Sequence, residues 1–203
     1  MTHAVSPYAA VLGDRRGLLA PPLQRYFDTI PDGYVGRGEG IFHVVGTPRR
    51  RLWPLLRLLQ RSAVVPAGFW HDVPFSVVNR TIGDRGVGVR TFHLPSGDFT
   101  MTDVVARSGA GTADAIGTPA RVSARFDLEV RNEKLMMTSR RIGVRIGRLR
   151  LGTPSWFRAR IRIAEYTEHD QHHMSFTLDL PLIGRVYEYR GSFRSYRIEK
   201  EHS

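Results

Sequence analysis

Cysteine is absent from the 203 residues. That excludes disulfides, thiolate metal sites and a cysteine nucleophile. Lysine is almost absent too: it occurs only at Lys134 and Lys200, so twenty-eight of the thirty basic residues are arginine. No apolar run approaches the roughly 18 residues that span a bilayer. The opening stretch MTHAVSPYAAVLGDRRGLLAPP lacks the basic start and continuous apolar run of a signal peptide. These absences make the cytoplasm the expected location. A Gly-x-Ser-x-Gly elbow and an HExxH helix are also missing. The glycine-dense GRGEG at 36–40 lacks the Lys-Ser/Thr ending of a phosphate loop, so a strand that tolerates close backbone approach is the better account. No repeat, low-complexity segment or linker divides the chain, and one domain over residues 1–203 is expected.

The formal net charge is +11. Its arginines are spread along nearly every segment, whereas a nucleic-acid reader concentrates them on one face. No specific nucleic-acid partner is therefore expected, although adhesion to anionic surfaces is.

From about residue 70 onward a two-residue alternation dominates. Val122, Ala124, Phe126, Leu128 and Val130 share one face, with Arg121, Ser123, Arg125, Asp127 and Glu129 on the other. Phe157, Ala159, Ile161 and Ile163 repeat the pattern against Arg158, Arg160 and Arg162, as do Met174, Phe176, Leu178 and Leu180 against Ser175, Thr177 and Asp179. Such patterning predicts half-buried antiparallel strands. Weaker signals cover 35–45, 73–82, 87–94, 99–106, 135–146 and 185–198, and turn residues separate them, including the whole of 109–117. The expected fold is mainly β: about nine strands in an antiparallel barrel or strongly curved meander sheet, lipocalin-like in general shape. The apolar phase switches across Gly147, which predicts a bulge or bend. Residues 1–33 are expected to form short helices broken by Gly13, Gly17 and Pro21-Pro22, 34–46 the first strand, 49–62 an amphipathic helix, and 71–198 the barrel.

The stretch TPRRRLWPLLRLLQRSAVVPAG, 47–68, sets leucines at helical spacing beside arginines. Three readings compete. It caps the open end of the barrel with solvated arginines, it lies on an anionic membrane surface through Arg49, Arg50 and Arg51, or it is a lid over an apolar cavity, with Trp53, Leu55, Leu56 and Leu59 as the cover. The membrane reading would place the protein peripherally at the inner membrane face.

The cluster EHDQHH at 168–173 has a ligand-like composition but falls between two strands, so a solvated turn is expected and no metal site. Asp103 and Glu165 fall in phase with apolar neighbours. They either sit in water at strand ends or face the interior, where a carboxylate needs a partner or its pKa rises. Tyr187 and Tyr189 share a face with Phe193, offering apolar area and a hydroxyl to a ligand, or ordinary packing.

The order of an RGEG strand, a leucine/arginine helix ending in VVPAG, then DVPF and a late LPLIGRVYEYRGSF resembles a bacterial domain-of-unknown-function family, the one numbered four-one-six-six. The resemblance runs from about Tyr8 to Tyr196, and its most specific piece is SFTLDLPLIGRVYEYRGSF. Members also occur fused behind saccharopine-dehydrogenase-like Rossmann domains, so the resemblance implies an oxidoreductase partner in small-molecule or lipid metabolism. It supplies no catalytic residues and implies no cofactor.

Together these observations favour a non-catalytic module that binds an apolar small molecule or lipid inside the barrel. Phe75, Val77, Met101, Phe126, Phe176, Tyr187 and Tyr189 are the expected walls. The alternatives are a cyclase or isomerase working inside the barrel with Asp103, Glu165, Tyr187 and Tyr189 as candidates, and a peripheral membrane or protein-partner module.

Overall fold

A computed structural model describes residues 4–117, 122–146, 149–152 and 159–201. Two short helices open the chain, α1 (Pro7–Leu12) and α2 (Pro21–Tyr26), and α3 (Trp53–Gln60) separates the first two strands. Prolines stand at the start of all three, where the missing N–H breaks no helical bond. The strands are β1 (Tyr34–Gly46), β2 (Phe69–Ile82), β3 (Arg85–Leu94), β4 (Gly97–Ser108), β5 (Gly111–Ile116) and β6 (Val122–Arg131). They continue as β7 (Lys134–Ile146), β8 (Leu149–Gly152), β9 (Arg160–Glu168), β10 (Gln171–Leu180) and β11 (Gly184–Lys200).

Ten strands close an antiparallel barrel. Neighbours in sequence are neighbours in space, β6 pairs with β7, and β1 pairs with both β2 and β11 to seal the ring. The short β8 lies outside it, paired to the far half of β7 with Ile146 opposite Leu149. The observed strand count exceeds the nine expected for two reasons. GTADAI reads as part of a turn because its alanines, aspartate and glycine carry little strand propensity, yet it is β5. The phase switch around Gly147 separates two antiparallel strands. Gly147 itself, Arg121, Phe157 and Arg158 lie outside the described residues.

Tight hairpins set the registers. Asn132 and Glu133, at φ 50° and 60°, join β6 to β7, and His169 and Asp170 repeat those angles between β9 and β10. Two consecutive positive φ values match the twist of paired strands. The GRGEG run is a strand of close approach. A side chain at Gly38 would press Phe193 and Tyr196, and one at Gly40 would meet the Phe75 ring within 2.6 Å.

The alternating inward residues form one continuous core. Its densest part is aromatic: Phe42 stacks on Phe75 with centroids 4.0 Å apart, and Phe176 on Tyr189 at 4.8 Å. Each such ring removes roughly 150–250 Å² from water.

Both barrel ends are covered. The turn after β1 leads into α3, whose Leu56 is buried and whose Trp53 Nε1 donates to the Thr47 carbonyl at 3.1 Å. The segment 4–30 covers the opposite end. Val5 N–H donates to Gly83 O at 3.1 Å and Ala20 N–H to Glu133 O at 3.2 Å, tying it to the β2–β3 and β6–β7 hairpins. Leu12, Leu19, Leu23 and Phe27 plug the opening beneath. Among the described residues no helix is long and apolar enough to cross a membrane.

Candidate functional site

Under α1 and α2 the interior turns polar. Three adjacent strands carry the charges. Gly88 of β3 stands opposite Asp103 of β4, and Val105 of β4 opposite Asp114 of β5. Arg90, two residues beyond Gly88, therefore lies diagonal to Asp103, and Asp103 diagonal to Asp114, on the same inward face. Gly88 makes the room: a Cβ there would meet the Asp103 carboxylate at 2.8 Å.

Arg90 is 8% exposed. Its Nη1 donates to the Tyr189 hydroxyl at 3.3 Å, and its guanidinium lies 5.8 Å from that ring's centroid. Its Nε has no hydrogen-bond partner, and neither has Oδ1 of Asp114. Burial works against the Arg90 charge, but Tyr189, Tyr26, Asp103 and Glu165 outweigh it and hold the guanidinium protonated. Burial raises the pKa of Asp103, and Arg90 offsets part of that rise. Asp114 is raised further, by burial first and then by the Asp103 charge, again against Arg90. Burial pushes the Tyr189 phenol up to about 12, with Arg90 pulling the other way.

A second polar pair faces the cluster from β9 and β10. Glu165 and His172 are 3% and 6% exposed and share a hydrogen bond through Oε2 and Nε2. His172 is clamped between aromatic rings, stacked on Phe193 at 4.5 Å and met edge-on by Tyr26 at 4.6 Å. Glu165 lines the internal cavity, while His172 contributes to a separate cleft beside Pro22, Arg25 and Tyr196.

The cavity between these groups has a volume of about 110 Å³ and is partly open to solvent. Tyr8, Tyr26 and Phe27 cover it, and Met101, Phe126, Ile163 and Phe176 supply apolar wall. Asp103 and Asp114 face this space, which gives them intermediate accessibility although protein surrounds them. Drug-sized ligands occupy roughly 300–1,000 Å³, and a cavity of about 150 Å³ holds a benzene ring. The space is thus of single-ring size.

Of the expected wall residues, Met101, Phe126, Phe176 and Tyr189 line the cavity. Phe75, Val77 and Tyr187 are in the packed core instead, and the buried Tyr187 hydroxyl has no partner. Asp103 and Glu165 line the cavity beside Tyr8, Tyr26 and Tyr189. The expected cover lies elsewhere. Trp53, Leu56 and Leu59 pack against the core at the other end, and Leu55 is 54% exposed. Arg49, Arg50 and Arg51 are exposed on that same end. Among the described residues no group of three or more His, Asp or Glu is placed to hold a metal ion.

Sequence reasoning passed over Arg90, Asp114 and the tyrosines of α1 and α2, and it placed His172 in a solvated turn, whereas His172 is buried in β10. Two carried a signal. Arg90 is in phase with Phe92 and Leu94, and His172 with Met174 and Phe176, and all six are buried. Asp114 sat in the segment read as a turn, and nothing local marks Tyr8 or Tyr26 as interior.

A family model described as a domain of unknown function, DUF4166, matches residues 19–193. No curated protein and no solved structure matches the chain.

Proposed function

The chain belongs to the DUF4166 family, whose description carries no chemistry, and from the interior of the barrel we propose that it binds a small neutral molecule with a polar end. The observation that carries this reading is the pocket lined by a permanent cation and two acids. Behind its lining, Arg90 Nε and Asp114 Oδ1 are buried without hydrogen-bond partners. Buried polar atoms of this kind cost about 1–3 kcal/mol each when unsatisfied. A ligand that accepts from Arg90 and donates to Asp114 recovers that energy, while Met101, Phe126 and Ile163 cover its apolar part. The apolar molecule or lipid suggested by the sequence alone fits this space less well. A hydrocarbon would leave the polar atoms unpaired, and an acyl chain exceeds this volume unless the α1–α2 cover lifts.

The same residues support a second reading, proton transfer inside the barrel. Buried acids whose pKa values are pushed up, beside a fixed cation, are the arrangement in which one carboxyl donates a proton and another accepts one. A ketone whose oxygen accepts from Arg90 would present its α-proton to Asp103. The carbonyl π pair moves to oxygen as the C–H pair forms the enolate double bond.

One sample tests both readings. Ligand-observed NMR with cyclopentanone and with benzene should show saturable binding of the ketone alone, abolished by Arg90→Met and by Ile163→Phe. Equal binding of the two, or a ketone signal that survives both variants, ends the binding proposal. In D2O the bound ketone should exchange its α-protons faster than with Asp103→Asn. Equal exchange rates leave a binding protein without catalysis.

A further inference from the structure

The end of the barrel capped by α3 carries an unusual surface. Leu55 and Leu58, three residues apart and so on one helix face, are 54% and 59% exposed, while Leu56 on the opposite face is buried. The β10–β11 turn comes to the same end, since β11 starts beside the end of β1, with Glu188 opposite Gly46. A side chain at Gly184 would lie 3.8 Å from Arg49 Nη2. That turn presents Leu182, at 108% the most exposed of the described large apolar residues, with Ile183 beside it at 37%. Leu182 is held at φ 65°, a conformation that a bulky L-residue rarely adopts, so local preference does not explain its outward position.

Along the chain, the charge flanking Leu55 and Leu58 has one sign. Five arginines lie between residues 49 and 61, and no acid occurs between Glu39 and Asp72. All five are exposed, and none joins an ion pair among the described residues. Arg16, Arg37, Arg80, Arg140 and Arg162, by contrast, are each matched to a carboxylate. Arg50 rests over the Trp53 ring at 5.8 Å, so its one aromatic contact leaves it charged and outward.

We propose that this end is a docking face for an anionic lipid bilayer. Leu55, Leu58 and Leu182 enter the headgroup boundary, and the unpaired arginines bind the lipid phosphates. Apolar side chains opposed to arginines on a short helix, lying in the interface plane, are what such surfaces retain. A protein partner would need a contiguous apolar patch to pack against, whereas separate protruding leucines on two elements suit a fluid surface. For a nucleic acid, bound through its phosphates and base edges, these leucines would be a cost. Docked in this way, the barrel stands on its apolar end, and the polar cavity under α1 and α2 faces away from the bilayer. The inference is independent of what the cavity binds.

Vesicle co-sedimentation of the full chain tests it. Vesicles of equal parts phosphatidylcholine and phosphatidylglycerol should bind the protein, and pure phosphatidylcholine should not. The triple variant Leu55→Glu, Leu58→Glu, Leu182→Glu and the triple variant Arg49→Glu, Arg50→Glu, Arg51→Glu should each lower binding about tenfold or more. Unchanged thermal melts would show that both remain folded. Leu55→Ser, Leu58→Ser, Leu182→Ser removes the apolar groups without adding charge. If that variant binds as well as wild type, and duplex DNA is bound as tightly as the vesicles, the face is only a basic patch and the proposal fails. Binding to neutral vesicles at the same level, or no binding to either, also overturns it.

Discussion

The barrel is closed at both ends by short helices, over interiors of opposite character. Beneath α3 lie stacked phenylalanines, with Phe42 wholly buried against Phe75 and Phe92. Beneath α1 and α2 lie a guanidinium and three carboxylates around a small cavity, with a histidine bonded to one of the acids from behind. One end is stabilised by area removed from water, a contribution that no proton alters. The other depends on which of its groups are charged. The same alternation of inward residues builds both, so the difference comes from a few positions where an apolar side chain is replaced by Arg90, Asp103, Asp114, Glu165 or His172.

That contrast can be broken from either side. Phe42→Ala should give the largest loss, about 3–5 kcal/mol from the lost transfer energy and the cavity left behind. Urea unfolding should return the same loss at acid and neutral pH. Arg90→Met should cost about 3 kcal/mol at neutral pH, because it strands the acids without their cation. Its loss should shrink in acid as those carboxyls take up protons. A pH-independent loss for Arg90→Met would show that the polar end is held by packing alone.

The smallest effect is the most specific in sign. Asp103 and Asp114 have raised pKa values in the folded chain, burial being the first cause. A raised carboxyl holds its proton in the folded state where the unfolded chain has released it. Its stabilising contribution is therefore complete below the ordinary carboxylate range and is lost as pH rises through the raised folded values. Asp114→Asn removes one such group. The variant should match wild type near about pH 3 and exceed it by about 1 kcal/mol at neutral pH. If it is less stable at neutral pH, the Asp114 charge is favourably paired and the account of this end is wrong.

The apolar end was far more legible in the sequence than the polar one. Alternation through Val73, Phe75 and Val77 marks a barrel face, and strand β1 lies where its valines and glycines put it, Tyr34–Gly46. Burial of apolar residues at period two is a local signal, visible in a window of a few residues. The cavity is assembled from β3, β4, β5, β9, β10 and two helices near the start of the chain, a juxtaposition made only when the ring closes. Asp103 and Glu165 stood out because they break an apolar phase. Whether they met water or one another depended on where α1 and α2 settled, and no short window holds that information. The amphipathic pattern of 49–62 reads as a lid, but α3 sits at the other end, and the N-terminal helices α1 and α2, with weaker patterns, overlie the cavity.

The seam between β1 and β11 has a consequence for how the chain folds. Tyr34 pairs with Lys200 and Gly46 with Glu188, so the first strand finds its second neighbour only in the last strand of the barrel. Until β11 docks, β1 is an open edge, with unpaired backbone groups and glycines that leave its register weakly specified. Closure of contacts this remote in sequence is slow. A chain that has not yet made this pairing would leave the β1 edge open, and it is there, rather than in the finished barrel, that aggregation would start.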